Sequence, residues 1–429
     1  MPFDINNLPA YENPPKEHRI RGLLGADDKG QMQIIAPEQA LVDPEPILQS
    51  TSRHLRSLPP AEDVGVSAVP GVYGLPTVVH SHLKARSELA LATEIPGEYV
   101  RASGAELSQM CASHASFEAE FCERLKLTPS DTRQDEANIL SAVEAFTTRR
   151  IEARLDETLH IPPLPETARR IIALQQEPAY DLEDLVQIVE ADPAIAARIM
   201  GWANSAFYGN NTPSKSIDDA IMRVLGFDMV FNMALGMAIG ASLGLPKSHV
   251  SGTSPYWLDA VYNAATMEAL AKQIKSDQRP DPGTCYLTGL LANFGTLVVG
   301  HVFPPQYETI CRLQEANPQL PVASIDQHVL RVNREVIAST LLELWELPDE
   351  ITTTLRFQYV RDYVGVHQTY VRLQQLAHDL LQFGPDRLDE RHLTAAHELG
   401  VDEVGLMEVG AVVRDSQQDL GEMANSMMQ

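Results

Sequence analysis

Histidine and acidic side chains are the residues of this chain that could hold a catalytic metal ion. The sequence contains 13 His and 58 Asp or Glu residues among 429, but a hydrolytic metal site needs them at fixed spacing, such as two His four residues apart on one helix face. His392 and His397 are five residues apart, close to Glu398. We therefore predict structural or solvent-exposed roles for the histidines. The scattered ones are His301, His328, His367 and His378.

The cysteines could supply thiolate ligands or disulfides, yet their spacing favours neither. They are Cys111, Cys122, Cys285 and Cys311, with no CxxC pair among them. Free thiols in a reducing compartment are the simplest interpretation. The first residues also lack a basic stretch followed by an apolar run, so no signal peptide is expected. The sequence thus predicts a cytoplasmic protein without disulfides.

The most distinctive polar pair in the second half of the chain is Asn204–Ser205, followed by Tyr208. One interpretation is a contact surface or pocket for an unidentified protein or small-molecule ligand. The other is a helix end and a turn, because Asn and Ser side chains bond local backbone groups and residues 209–211 (GNN) continue the turn. The sequence favours the turn and leaves the binding role open.

A glycine- and proline-rich segment, residues 68–76 (AVPGVYGLP), is a second candidate for chemistry. Gly71 and Gly74 would allow positive φ angles and a close approach of a ligand to the backbone. The alternative is a tight loop that only supports the fold. The sequence favours this alternative.

The overall charge limits the classes of partner. With 33 Lys and Arg against 58 acidic residues, the formal charge is −25 and the pI is about 4.8. Such a chain repels a phosphate backbone, which disfavours nucleic acids, tRNA included, and anionic membranes. The most apolar run, Met229–Leu245, is shorter than a membrane span and holds Gly236 and Gly240 at GxxxG spacing. It therefore predicts a buried core helix and no membrane partner.

From about residue 151 onward the chain is predicted to be helical. Asn204, Ser205 and Tyr208 lie within this part. Helix starts are marked by Asp, Ser and Pro, which stabilise the first turn. The marked starts are Pro165, Asp181, Asp192–Pro193, Ser216 with Asp219, and Ser254–Pro255. The predicted helices include Leu182–Ala191, Ile217–Leu225 (ended by Gly226), Tyr256–Ile274, Val364–Phe383 and His392–Leu399.

The first part of the chain is predicted to be a mixed α/β domain. Short β-type runs cover Met32–Ile35 and Thr77–Val79, and helical periodicity predicts a helix over Ala105–Lys126. The predicted fold class is multidomain, with an N-terminal α/β domain followed by an all-α region. The predicted ranges are 1–130 for the front domain, 131–155 for a charged helical connector, 156–360 for the main helical domain and 361–429 for a C-terminal helical extension.

Several short motifs occur in a definite order along the second half of the chain. They are Leu164–Pro165, Asp192–Pro193, residues 203–209 (ANSAFYG), Leu225–Gly226, Trp257, residues 289–291 (GLL), Gly295 and residues 341–348 (LLELWELP). In the order and spacing of these motifs the chain resembles, over about residues 151–360, the HDOD domain, a branch of the HD superfamily that lacks the metal ligands. The resemblance implies an HD-like helical fold and a regulatory role.

The same resemblance implies where an HD-type phosphohydrolase would hold a metal ion that activates water. Asp259 and Arg334 stand where His residues are expected, Ala292–Asn293 stands in place of the His-Asp doublet, and Thr296 in place of a lysine. A further His pair would fall at residues 357–359 (FQY). Alanine has no ligand atom, and Asn and Arg are poor replacements for imidazole. The resemblance therefore implies no metal, no cofactor and no phosphohydrolase activity.

Residues 19–126 resemble, less strongly, the aminoacyl-tRNA deacylase domain of the prolyl-tRNA-editing type, mainly through residues 70–83 (PGVYGLPTVVHSHL). In that family a lysine near the first strand and the Gly-rich loop act on the ester bond to tRNA. Arg21 stands in place of that lysine, and its planar fork is not equivalent to a compact ammonium group. His80 stands where Asp is common. The implied pocket consists of Arg21, Gly71, Gly74, Pro76 and His80.

Two functions from different classes follow. The favoured one is a non-catalytic signal-transduction protein whose HDOD domain binds a protein or a small ligand. The alternative is an aminoacyl-tRNA or aminoacyl-ester deacylase in the front domain, regulated by the helical part. A metal-dependent phosphohydrolase is the least favoured. Residues 361–429 match no family, and either packing on the helical core or a homo-oligomer contact would account for their apolar positions.

Overall fold

The computed structural model describes residues 8–58, 65–112, 115–123, 164–176, 181–208, 212–246, 248–250, 253–274, 279–318 and 320–427. The chain divides into two compact units that are not continuous in sequence. The front unit combines residues 1–130, 248–252 and 305–331, and the helical unit combines residues 131–247, 253–304 and 332–429. Residues 305–331 thus group with the front unit, although they lie within the range 156–360 that was predicted for the main helical domain. The predicted connector lies outside the described residues.

Short strands form the framework of the front unit. They are β1 (Arg19–Asp27), β2 (Gly30–Pro37), β3 (Leu41–Val42), β4 (Arg56–Leu58), β5 (Thr77–His80), β6 (Leu89–Ala92), β7 (Tyr99–Ala102), β8 (Ser116–Ala119) and β9 (Cys122–Glu123). One mixed sheet has the order β7-β6-β1-β2-β5-β8, with β4 paired to β1, while β3 pairs with β9. Strands β1 and β2 are antiparallel, whereas β5 runs parallel to both β2 and β8. The predicted α/β character of this part is confirmed.

Each face of the large sheet is covered by a helix, because successive side chains of a strand point to opposite faces. Val79 faces helix α2 (Gly104–Ala112), in a cluster that includes Leu107. Its neighbour Val78 belongs to a cluster on the other face with Ile47 of helix α1 (Pro44–Thr51). The unit therefore has two small cores, one on each face of the sheet.

The predicted helix over Ala105–Lys126 is wrong beyond its first turns. Helix α2 ends at Ala112, and the chain then forms β8 and β9. Phe117 and Phe121 are four residues apart, which matches helical spacing, but both pack in the cluster with α1. Pairing of β8 with β5 completes the sheet and decides the backbone conformation here.

The described residues of the helical unit contain helices and turns but no strand. The helices are α3 (Glu166–Gln176), α4 (Leu182–Glu190), α5 (Pro193–Ala203), α6 (Ile217–Ala220), α7 (Phe227–Ala241), α8 (Tyr256–Gln273), α9 (Pro282–Leu291), α10 (Phe294–Val302), α13 (Arg334–Leu344), α14 (Asp349–Phe357), α15 (Gln368–Phe383), α16 (Glu390–Glu398), α17 (Glu403–Asp415) and α18 (Gln417–Met427). Helices α11 (Pro304–Ala316) and α12 (Val322–Leu330) belong to the front unit. The predicted helical region is confirmed.

The predicted helix starts agree with the observed side-chain caps. Asp181 forms a capping box at the start of α4, Asp192 accepts hydrogen bonds from two amides of α5, and Ser216 caps α6. The predicted helix Ile217–Leu225 is less regular than expected, since α6 is one turn long and continues as a wider π-helical turn that ends at Gly226, where φ is 86°.

The start of α15 is also displaced from its predicted position. The helix begins at Gln368 instead of Val364, because His367 has a left-handed backbone conformation with φ of 55°. A helix cannot continue backward through such a residue.

Glycines allow the central helices of the helical unit to pack closely. A Cβ on Gly289 of α9 would lie 2.7 Å from the Cα of Ala264 in α8. In α7, a Cβ on Gly236 would meet leucine side chains of α9, and one on Gly240 would meet the Trp257 ring. The GxxxG spacing in Met229–Leu245 thus serves core packing, as predicted.

One stretch of the described chain, Pro282–Val302, is long and apolar enough to be considered as a membrane span. It consists of α9 and α10, and 78% of its apolar window is buried inside the protein. The segments Ile217–Leu225 and Phe227–Ala241 pass the same criteria only as a pair bent by 119°. Burial of this extent is typical of core helices.

Candidate functional site

The positions that the resemblance assigns to an HD metal centre lie in the helical unit, and two of them are joined by a hydrogen bond. Gln358 directly follows α14 and is buried. Its Nε2 donates to the carbonyl oxygen of Ala292 at 2.9 Å and to that of Leu355 at 3.3 Å. The amide therefore links the end of α14 to the junction of α9 and α10, where the metal-binding doublet would lie.

Arg334, the first residue of α13, places a positive charge at a further ligand position. Only 8% of the residue is exposed, and its Nη1 donates to Oγ1 of Thr296 in α10 at 3.2 Å. Helix α10 approaches so closely that a Cβ on Gly295 would lie 2.7 Å from the Arg334 carbonyl oxygen. A guanidinium has no acceptor atom and repels a divalent cation. This position therefore opposes metal binding.

Helix α15 packs on α8 in the same region. Asn263 of α8 donates from Nδ2 to the Gly289 carbonyl oxygen at 2.9 Å and to Oε1 of Gln374 in α15 at 3.0 Å. One turn earlier on α8, Asp259 is exposed and lies within electrostatic range of His378, which is exposed on α15. The C-terminal extension thus packs on the helical core, one of the two alternatives that the sequence left open.

These side chains do not fit a metal ion. Within the part of the chain that the structure describes, no group of three or more His, Cys, Asp or Glu residues could hold one. Ala292 offers no side-chain ligand, Arg334 is cationic, and Gln358 directs its amide hydrogens to backbone carbonyls. We therefore derive no reaction step through a metal at this position.

A groove of about 630 Å³ lies between α5 and α18 on the helical unit. Its volume is in the range of small-molecule and peptide sites. The side of α5 that lines it carries small residues, and α18 contributes two carboxylates. The lining residues are Ala194, Ala197, Arg198, Gly201, Trp202, Asn204, Ser205, Ala206, Asp419, Glu422, Met423 and Ser426.

Asn204 and Ser205 line one end of this groove but also hold the local turn together. Oδ1 of Asn204 accepts from the Ser214 amide at 2.6 Å, and its Nδ2 donates to the Ser214 carbonyl oxygen at 3.2 Å. Oγ of Ser205 donates to the carbonyl oxygen of Trp202 at 2.8 Å. These bonds agree with the turn interpretation, and because the turn also forms part of the groove wall, the binding role of the two residues stays a prediction.

The turn Ala206–Tyr208 connects the groove to the core. The amide of Phe207 donates to Oδ2 of Asp419 in α18 at 3.0 Å. The hydroxyl of Tyr208 donates to Oε2 of Glu268 in α8 at 3.3 Å. Tyr208 does not line the groove itself, so of the three predicted binding residues only Asn204 and Ser205 do.

A buried polar cluster that the sequence did not predict lies next to the groove. Glu268 is 1% exposed and is bonded by Tyr208 and Lys272. Nε1 of Trp202 and the hydroxyl of Tyr286 are buried without a hydrogen-bond partner. The two rings are in edge-to-face contact, with centroids 6.1 Å apart. The available sequence signal was the spacing of Glu268 and Lys272, which are four residues apart on one helix.

Burial raises the pKa of Glu268, although Lys272 and Tyr208 act in the opposite direction. A carboxyl group with a raised pKa in the folded state contributes stability that is complete below its ordinary pKa and is lost as the pH rises toward the folded value. We therefore expect Glu268→Gln to become more stable relative to the wild-type protein as the pH is raised above about 4.5. Urea unfolding at pH 5 and pH 8 measures this, and a pH-independent difference would contradict the assignment.

In the front unit, Arg21 is the predicted pocket residue with the least satisfied side chain. It is 8% exposed, and its Nη2 donates to the Ala40 carbonyl oxygen and to Oδ1 of Asn317, both at 3.0 Å. Nε and Nη1 are buried without a partner. Burial lowers the pKa of Arg21 to about 10, so it is cationic at neutral pH. An incompletely bonded buried cation is energetically unfavourable.

Asn317 directly follows α11 and covers part of Arg21. Its side chain is fully buried, and Oδ1 accepts from Arg21 and from the Val42 amide, the latter at 2.8 Å. Its Nδ2 donates to the carbonyl oxygens of Val42 and Leu313, both at 2.8 Å. Asn317 therefore takes one of the acceptor positions beside Arg21 that an oxygen of a substrate would need.

Arg21 and His80 lie in one row of the sheet. Arg21 pairs with Ala36 across β1 and β2. The parallel register of β2 and β5, which pairs Ile35 with Val79, places His80 beside Ala36. His80 is 6% exposed, its Nδ1 has no partner, and burial lowers its pKa. The small Ala36 therefore separates two side chains that both carry unpartnered nitrogens.

The Gly-rich loop that precedes β5 is a tight turn. Gly71 and Gly74 have φ angles of 81° and 65°, and the Gly74 amide donates to the Gly71 carbonyl oxygen at 3.0 Å. The Pro76 carbonyl oxygen accepts from the Gln33 amide at 2.9 Å, which fixes the loop to β2. Positive φ explains why glycine occupies both positions.

Comparison with known proteins agrees with this geometry in the helical unit. Residues 161–360 match the sequence profile of the HDOD domain. A crystal structure from Marinobacter aquaeolei VT8, named "Putative signal transduction protein", is 33% identical, with a TM-score of 0.78 over 99% of this chain and 98% of that one. The chain contains an HDOD domain. The HDOD match includes residues 305–331, although these residues group with the front unit.

Two further comparisons cover less of the chain. An uncharacterized protein from Treponema pallidum is 26% identical over 217 residues, which are 51% of this chain and 41% of that protein. The chain thus spans about two fifths of the length of this curated relative. An HDOD domain protein with unknown function from Geobacter sulfurreducens is 18% identical, with a TM-score of 0.46 over 62% of this chain and 92% of that one.

Proposed function

We propose that this HDOD protein is a non-catalytic regulatory protein of a signalling process, whose helical unit binds a protein or a small ligand. The observation that carries the proposal is the state of the degenerate metal centre. Arg334 and Gln358 bond to Thr296 and Ala292, so these positions are used to hold helices together. The name of the Marinobacter relative is consistent with a role in signal transduction.

The groove between α5 and α18 is the proposed binding surface. It combines an accessible volume of about 630 Å³ with the polar pair Asn204–Ser205 that the sequence singled out. The turn that follows this pair is bonded to α18 through Asp419 and to α8 through Glu268. A ligand in the groove would therefore contact groups that are connected to the core of the HDOD domain.

Hydrolysis assays test the non-catalytic part of the proposal. The intact protein, assayed with Mn²⁺, Mg²⁺, Fe²⁺ or Zn²⁺, is expected not to turn over cyclic nucleotides, cyclic dinucleotides or phosphate monoesters, because the ligands that activate water are absent. Asp259→Ala is the matched variant, since Asp259 is the exposed carboxylate at a predicted ligand position. Metal-dependent turnover by the wild-type protein that is lost in this variant would refute the proposal.

A deacylase in the front unit is the second candidate function. The observation that favours it is the register of the sheet, which places Arg21 and His80 on either side of Ala36. Both side chains carry buried nitrogens without a hydrogen-bond partner. The bonds of Asn317 to Arg21 and Val42 count against it. The test is hydrolysis of a panel of mischarged tRNAs by the intact chain beside Arg21→Ala. A fragment of residues 1–130 is unsuitable because it lacks Asn317.

A further inference from the structure

We infer that the groove between α5 and α18 binds a basic peptide segment of a partner protein. This inference rests on the proposed function, because it assumes that the groove is the binding surface of the helical unit. Two features of the groove carry it: a helix face lined mainly by small residues and an acidic wall.

The face of α5 in the groove carries small residues beside Arg198 and Trp202. Ala194, Ala197 and Gly201 follow one another at intervals of three and four residues, so they share one side of the helix. A Cβ on Gly201 would meet no atom within 4 Å. Since the distance between packed segments depends on the side chains between them, another polypeptide backbone can approach α5 closely here.

The opposite wall is acidic. Asp419 and Glu422 are three residues apart on α18 and both line the groove. Asp419 uses Oδ2 for the Phe207 amide, and Glu422 accepts at Oε1 from the neutral amide of Gln418. Arg198 is the cation in the lining, and its Nε donates to the Ser426 carbonyl oxygen at 2.9 Å. Two carboxylates against one guanidinium favour a ligand with Lys or Arg side chains.

The acidic wall also selects between classes of macromolecule. A nucleic acid would bring phosphates toward Asp419 and Glu422, and the whole chain carries a formal charge of −25. A basic segment of a protein is attracted by the same field. Charge complementarity therefore favours a cationic polypeptide over a nucleic acid.

The shape of the groove separates peptides from simple polyamines. A polyamine supplies positive charge only, whereas a peptide also supplies a backbone that can lie against the small residues of α5. The groove therefore favours a peptide among cationic ligands.

Fluorescence anisotropy of the intact protein with defined peptides tests the inference. The probe is a labelled 15-residue peptide of alanine and lysine, and the matched control replaces each lysine by glutamate. The wild-type protein should bind the lysine peptide at least about ten-fold more tightly than the glutamate peptide. Spermidine serves as a competitor that has the charge but no carbonyl groups.

Two variants locate the binding in the groove. Gly201→Leu fills the open face of α5 and should weaken lysine-peptide binding about ten-fold or more, while Gly201→Ala should change it less than about two-fold. Glu422→Lys changes an exposed side chain and should weaken binding by a similar factor. Because Glu422 lies at the surface, this variant is informative even if Gly201→Leu fails to fold, which circular dichroism would report.

The outcomes separate the inference from the proposed function. Lysine-peptide binding that is unchanged in both Gly201→Leu and Glu422→Lys, or absent from the wild-type protein, would overturn the inference. Competition by spermidine at a similar concentration to the peptide would assign the site to small polyamines and would overturn the peptide assignment. If the glutamate peptide binds and is lost in Gly201→Leu, the groove remains the binding surface and only its charge preference is wrong.

Discussion

Replacing Asn317 by alanine is expected to destabilise the front unit by roughly 3 kcal/mol. The substitution removes every side-chain hydrogen bond of a fully buried residue. It leaves the amide and carbonyl of Val42 without these partners and removes one of the two acceptors of the Arg21 Nη2 group. Hydrogen exchange measures the effect, because amides of β1 and β2 should lose protection.

If Asn317 belongs to the front unit, Asn317→Ala should destabilise that unit and leave the helical unit unchanged. All three tryptophans, Trp202, Trp257 and Trp345, belong to the helical unit, so the fluorescence-detected transition reports on that unit. Glu308→Ala, an exposed change on α11, is the control and should leave the exchange of β1 and β2 unaltered. If Asn317→Ala behaved like this control, residues 305–331 would not be an integral part of the front unit.

Gly289→Ala is expected to destabilise the helical unit by about 3 kcal/mol. The added Cβ would lie 2.7 Å from the Cα of Ala264 and 2.8 Å from the carbonyl oxygen of Asn263. Both are backbone atoms, so α8 and α9 would have to separate at the centre of the unit. Urea unfolding followed by tryptophan fluorescence measures the loss.

Gly201→Ala is the matched control with the opposite sign. Gly201 is also inside a helix, but a Cβ there meets nothing within 4 Å. Alanine should therefore stabilise α5 by up to about 1 kcal/mol through its higher helix propensity. Equal effects of the two substitutions would show that the close approach at Gly289 does not determine the packing of α8 on α9.

The helical part of the fold could be predicted from local sequence, because its signals are local. Asp181, Asp192 and Ser216 cap the helices that they were expected to start. The order of the HDOD motifs also led to Ala292 and Arg334, and the structure shows what these residues contact. A helix cap depends on residues that are close in the sequence, and the order of motifs is compared with a known family. Neither requires knowledge of contacts between distant parts of the chain, so both were reliable here.

The remaining features depend on contacts between distant parts of the chain. Phe117 has helical spacing to Phe121, and only the presence of β5 beside it makes β8 a strand. Asn317 lies 275 residues from its partner Val42, and nothing near it in the sequence marks a place in the front unit. The groove required α18 to lie beside α5, which joins residues that are more than 200 positions apart, such as Arg198 and Ser426.

Metal analysis of the intact protein tests the central claim, that this HDOD protein acts without a metal centre, most directly. The protein would be produced in medium supplemented with Mn, Fe and Zn, purified without chelators, and analysed by inductively coupled plasma mass spectrometry. We expect less than about 0.1 equivalents of any of these metals per chain, because Ala292, Arg334 and Gln358 cannot replace the missing ligands. Close to one equivalent, lost in Asp259→Ala, would contradict the account.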